Sequence, residues 1–219
     1  METNRPAEIK NNKEEIPLQF YLERFPAIDP AERAEVLGIP FEKTGSGGIF
    51  TITMLNTEYR VSWPDGGVTS GDADALAVKR IQGQIMLLRF IMEGKSVLSA
   101  GTFKTFREMP WGELYIKPFT GRCLTRSAFK FGTNIAGFRR GSDAIGGRSV
   151  KHGDAGYEFD FIGPYKLQIF IWEGDEEFPP SAQILYSDNF ERGFSAEDNV
   201  VAAELTITAV SEKMKPAAK

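Results

Sequence analysis

The chain has 219 residues, 42% hydrophobic and 26% charged, with a net charge of −4. It is long enough to bury a core without disulfides or a structural metal, and its negative balance argues against general nucleic-acid binding. A single cysteine, Cys123, and a single histidine, His152, exclude an intrachain disulfide and any zinc or iron–sulfur site built from several such residues of this chain alone.

The N-terminal METNRPAEIKNNKEE is polar, with no apolar core of a signal peptide. No run approaches the ~18 apolar residues of a membrane span, so the expectation is a cytoplasmic protein without a membrane partner. Residues 1–15 and 213–219 read as disordered tails around one domain, 16–212. Ile16 to Arg24 reads as a short helix or a docked strand. Asp29-Pro30 before AERAEVLG is a helix start, with Asp29 as cap, Pro30 at the first helical position and Gly38 as stop. GGIFTITM and TEYRVSW are β-branched and aromatic and form a hairpin about Leu55-Asn56. Pro64 to Gly67 is a second turn, after which Val68 starts a short strand.

Asp72 to Gly94 carries Leu76, Ile81, Ile85, Leu88 and Ile91 at helical spacing and reads as the main helix, with Gly83 marking a close approach. Thr102 to Pro110 is loop or short strand, and Tyr115 to Phe131 is helix-prone after Pro118. Thr133 reads as the cap of a helix running to Ile145. YEFDFI, LQIFIW and Ala182 to Tyr186 form a meander, and Ser195 caps a last helix. The order helix, hairpin, helices, meander, helix predicts an α+β fold, its antiparallel sheet or sheets packed with helices.

The charges are unevenly placed. Lys117 to Lys151 holds eight cations and one acid, whereas Asp154 to Asp188 holds eight acids and one lysine, Lys166. Either the two segments face each other or the surface is polarised. The aromatic, basic segment with Arg122 and Arg126 suits a flat anionic ligand. Asp175, Glu176 and Glu177, in the stretch from Trp172 to Pro180, could supply a general acid and base or bind a hard cation; they could equally form a solvated turn that protects a sheet edge. His152 beside Gly153 and Asp154 could move a proton or ligate a cofactor's metal, or simply sit at the surface. Arginines beside Cys123 would lower its thiol pKa, whereas burial would leave it inert.

The pattern of Tyr59 to Gly66, the apolar helix Ile81 to Ile91, Phe106-Arg107-Glu108, Gly112 to Phe119, Phe131-Gly132, Gly153 to Ala155, Trp172 to Pro180 and Ile184-Leu185 resembles an uncharacterised domain family of anaerobic bacteria and archaea. Its members occur alone or fused behind a four-cysteine iron–sulfur module, which this chain lacks. The resemblance covers roughly residues 30 to 212. It implies an anaerobic setting near iron–sulfur or corrinoid chemistry, a partner that brings any redox centre, and a shared surface of Phe106 to Glu108, Asp154 and Trp172 to Glu177. The first functional expectation is a binding module for a small anionic or tetrapyrrole-like cofactor working with a redox or methyl-transfer partner, held by His152, Asp154, Arg107, Trp172, Arg122 and Arg126. The alternatives are a domain that docks iron–sulfur partners, favoured by a flat, charged face, and an enzyme using the 175–177 carboxylates with or without a divalent cation.

Overall fold

In the computed structural model, residues 15–214 are described. Most of the tail segments expected at 1–15 and 213–219 lies outside that range; Glu15 opens the first helix and Lys213 closes the last. The elements are α1 (Glu15–Arg24), α2 (Pro30–Leu37), β1 (Phe41–Thr44), β2 (Gly47–Met54), β3 (Thr57–Trp63), β4 (Val68–Thr69), α3 (Leu76–Lys79), α4 (Ile81–Glu93) and β5 (Phe103–Thr105). There follow α5 (Gly112–Phe119), a π-helical turn (Thr120–Thr125), α6 (Arg126–Phe131), α7 (Ile135–Ala144), β6 (Arg148–Val150), β7 (Ala155–Ile162), β8 (Tyr165–Trp172), β9 (Ser181–Ser187), α8 (Phe190–Gly193) and α9 (Ala196–Lys213).

Local chemistry sets many of these bounds. The Asp29 carboxylate accepts from the Ala31 and Glu32 N–H groups, and Gly38 closes α2 at φ 65°. Leu55 and Asn56 both take positive φ in the two-residue turn that matches the twist of β2 and β3. Ser195 and Asp198 form a reciprocal capping box at the start of α9.

Three expectations need correction. The main helix does not run from Asp72: Arg80 is extended and separates α3 from α4. A Cβ on Gly83 would lie 2.7 Å from Ala77 Cα, so the glycine lets α3 fold back on α4. The next helix begins at Gly112 and contains Pro118, and a wider π-helical turn follows it directly. Asn134, not Thr133, caps α7, its side chain accepting from the Gly137 N–H, while the Thr133 hydroxyl donates back to the Phe129 carbonyl.

The strands form one antiparallel sheet in the order β4-β3-β2-β7-β8-β9-β5, with β1 also on β2 and β6 also on β7. The hairpin and the meander join where Met54 pairs with Ile162 and the Leu55 N–H donates to the Phe161 carbonyl. Alternation places Tyr157, Phe159, Phe161, Leu167, Ile169, Ile171 and Tyr186 on one face, all buried. Helices α6, α7 and α9 cover that face over the meander; Phe138 of α7 meets Tyr157 edge-on at 5.5 Å, and the Tyr186 hydroxyl donates to the Asn199 carbonyl of α9. The opposite face is polar at the middle of β7 and β8, where Glu158, Asp160, Lys166 and Gln168 lie, and apolar at one end, where Phe170 is buried.

Candidate functional site

The two oppositely charged segments do meet, in part, on the open face. Arg148 of β6 bonds Glu158 (2.8 Å) and Asp160 (2.5 Å) on β7, and Lys166 and Gln168 of β8 add to Glu158. Burial pushes Glu158 up, but hydrogen bonds from Arg148, Gln168 and Lys166 outweigh it and hold the carboxyl below its usual value. The Arg148 contact likewise holds Asp160 down.

The other arginines of the basic segment are also engaged. Arg122 bonds Glu204 (2.7 Å) and Glu197 (3.2 Å) on α9, which raises its pKa. Arg126 donates to the Thr208 hydroxyl, Arg140 to the Met214 carbonyl and Arg139 to the Asp154 carbonyl. Arg107 lies elsewhere, exposed and paired with Glu113. The segment is therefore bound mainly to its own scaffold and does not form one free anion cradle. Cys123 is buried between the π-helical turn and α9, its thiol directed at the Val200 carbonyl; burial pushes the thiol up to about 12, against the pull of Arg122 and Arg126.

Three candidates from the sequence do come together. His152 packs edge-on against Phe170 (4.6 Å) and Trp172 (5.4 Å). The Asp154 carboxylate accepts from the Glu173 N–H (2.8 Å) and the Asp154 N–H donates to the Ile171 carbonyl (2.9 Å), which ties this loop to the end of β8. His152 and Asp154 line an open groove of about 460 Å³ with Arg139 and Lys151, while Trp172 packs against the His152 ring without lining it.

The acidic stretch after Trp172 is an exposed turn. The Asp175 carboxylate accepts from the Phe178 (2.7 Å) and Glu177 (2.8 Å) N–H groups, which holds its pKa down. Glu176 and Glu177 are exposed. A general acid needs a sheltered cleft, and this exposed turn provides none, so it gives the carboxylate-enzyme alternative no support. Among the described residues no three His, Cys, Asp or Glu side chains gather as a metal-binding group.

The feature that the sequence reading passed over begins at Trp111. This residue holds φ 63°, ψ 3°, a left-handed conformation rare for a bulky side chain. It is compelled from one side: a Cβ on Gly112 would lie 1.9 Å from the Phe106 carbonyl oxygen, so the backbone passes as closely as a glycine allows. The tight turn throws Trp111 outward, 73% exposed, beside Leu114 at 71% and Tyr115 at 41%. Together with Ser195 to Glu197 at the start of α9 they line an open groove of about 410 Å³. Their spacing of three and four residues is that of a core stripe; only burial distinguishes a stripe facing the core from one facing water.

A second, more apolar groove of about 330 Å³ lies along α5, the π-helical turn and the first half of β9. Its floor includes Phe106 and Phe119, stacked at 4.1 Å, and Arg107 stands on its rim.

A protein-family model described as Domain of unknown function (DUF3786) matches residues 29–209, and the chain belongs to that family. No curated protein and no solved structure matches it.

Proposed function

We propose that, within this family, the chain acts as a protein-interaction domain that docks a partner through the surface around Trp111. The observation that carries the reading is the solvent-facing ridge of Trp111, Leu114 and Tyr115, projected by a strained backbone turn. Tryptophan and tyrosine dominate binding hot spots because a rigid ring buries much area at small entropic cost. Strain in a bulky residue persists where the surrounding structure over-determines it, and such outliers cluster at functional positions. Two charged features flank the candidate surfaces, the Arg107–Glu113 pair and the exposed acidic turn, and would orient a partner more than hold it. A partner bearing an iron–sulfur or corrinoid centre is the finer form of this reading; its support is the sequence resemblance alone.

A second reading keeps a small anionic ligand, and one observation favours it: His152 and Asp154 share a groove with Arg139 and Lys151. The engagement of Arg122, Arg126, Arg140 and Arg148 within the scaffold weakens it relative to docking.

The test is capture of partners from anaerobic lysate by the tagged full chain, beside Leu114→Ala and Tyr115→Ala variants. The docking reading requires a partner enriched by wild type and lost by the ridge variants at unchanged thermal stability. Equal capture by all three would remove the ridge as the docking surface, and absorbance from a co-purifying small molecule that Lys151→Ala removes would move the function to the His152 groove. A self-associated chain that becomes monomeric in the ridge variants would identify the partner as a second copy.

A further inference from the structure

Strand β5 pairs with β9 only at Leu185 to Ser187. The preceding residues of β9, Ser181 to Ile184, therefore have β8 on one side and, among the described residues, no strand on the other. Which backbone groups face that open side follows from the ladder. Successive residues of a strand turn their N–H and C=O groups to opposite edges. The Asp188 N–H donates to the Thr102 carbonyl on the β5 side (3.0 Å), so 186, 184 and 182 also turn outward. The other edge gives the same answer. Ile171 sends its carbonyl to the Asp154 N–H, away from β9, and its cross-strand neighbour Ala182 is consequently turned away from β8.

The open edge runs beside the apolar groove floored by the Phe106–Phe119 stack and walled by Ile116 and Leu124. At its start, before Ser181, stands the turn with exposed Glu173, Asp175, Glu176 and Glu177. Outward peptide groups at strand spacing match another strand; an apolar groove on one face selects alternate side chains; and carboxylates at one end select cations. We infer that the free edge of β9 is a strand-addition site for an extended segment of a partner protein. Alternate apolar side chains of that segment enter the groove, and basic residues at one end lie against the acidic turn. The inference rests on the docking reading and names the chemistry of the partner. A second copy is the poorer occupant. Two-fold antiparallel pairing of these edges would bring β5 of each copy against the acidic turn of the other, whereas a single segment fits between them.

The probe is a phage-displayed library of short linear peptides panned on the full chain, with the strongest binder synthesised and its affinity measured. Ala182→Pro removes the outward N–H while leaving the β8 ladder intact, because proline is tolerated on a strand edge. Binding is expected to weaken about tenfold or more in this variant and to fall with salt. The selected sequences should place apolar residues at alternate positions. Hydrogen exchange on wild-type protein provides a readout that requires no variant: Ile184 is already buried, so it is the amide of the more exposed Ala182 that should become protected on peptide binding. An unprotected Ala182 amide, selected peptides with helical spacing, or no enrichment at all would overturn the strand-addition site. Docking itself is judged separately: a partner lost by Leu114→Ala yet retained by folded Ala182→Pro would leave the ridge standing and remove the edge.

Discussion

Replacing Asp198 by alanine should be among the most damaging single changes, and it tests how the ridge groove is built. Asp198 is only 7% exposed at its side chain and serves two partners. One oxygen accepts from the Ser195 N–H (2.9 Å) and hydroxyl (2.6 Å), completing the box that caps α9. The other accepts from Arg89 of α4, which pins the start of α9 to its neighbour. Loss of the cap costs about 1 kcal/mol. Breaking a buried pair costs about 3–5 kcal/mol when the remaining charge is fully buried. Arg89 is 24% exposed and keeps Glu93 at 3.4 Å, so a cost below that range, about 2 kcal/mol, applies here. The sum, about 3 kcal/mol, corresponds to a fall in Tm of about 6–12 °C for a chain of this size. The assay is denaturant unfolding of Asp198→Ala, Arg89→Met and the double variant. Because the buried Nε of Arg89 has no hydrogen-bond partner even in the intact pair, removing the guanidinium should restore about 1–2 kcal/mol in the double variant. A loss below about 1 kcal/mol, or a double variant no more stable than Asp198→Ala, would refute the view that a stranded arginine sets the cost.

Trp111→Gly should raise stability by about 1 kcal/mol, since glycine adopts φ 63° without strain and the exposed ring packs little; a lower unfolding midpoint would show that the ring contributes packing after all. Gly112→Ala should do the opposite, costing about 1–3 kcal/mol or more, because its Cβ meets the Phe106 carbonyl rather than a side chain that can move; thermal melts of the two variants together check the turn. Glu158 and Asp160 are held below ordinary carboxylate values, so their contribution to stability is complete above the unfolded pKa and is lost as pH falls through the folded values. Stability should therefore decline below about pH 4, and Arg148→Met should flatten that decline in denaturant titrations against pH. With its thiol pushed up to about 12, Cys123 should resist a thiol reagent at neutral pH and label only as fast as the chain unfolds; rapid labelling of native protein would contradict its burial.

Where a signal is carried by a few adjacent residues, the sequence alone determined the structure. Asp29-Pro30 and Gly38 bound α2, the β-branched runs and Leu55-Asn56 define the β2–β3 hairpin, and Ser195 with Asp198 starts α9, because capping and turn chemistry act over three or four residues. The α+β class followed from the order of these elements. Of the candidate residues, His152, Asp154 and Trp172 lie within one stretch of hairpin, and the register of β7 and β8 brought them together. Arg122 and Arg126 read as ligand-facing because sequence shows a charge but not its counter-charge, and Glu197, Glu204 and Thr208 approach only when α9 packs on the π-helical turn. The helix containing Pro118 and the break at Arg80 depended on neighbours that relieve or impose local strain. The exposure of Trp111 and the free edge of β9 belong wholly to the tertiary structure. An apolar residue and an unpaired backbone group look the same in sequence whether covered or bare, and only the placement of the other elements decides which they are.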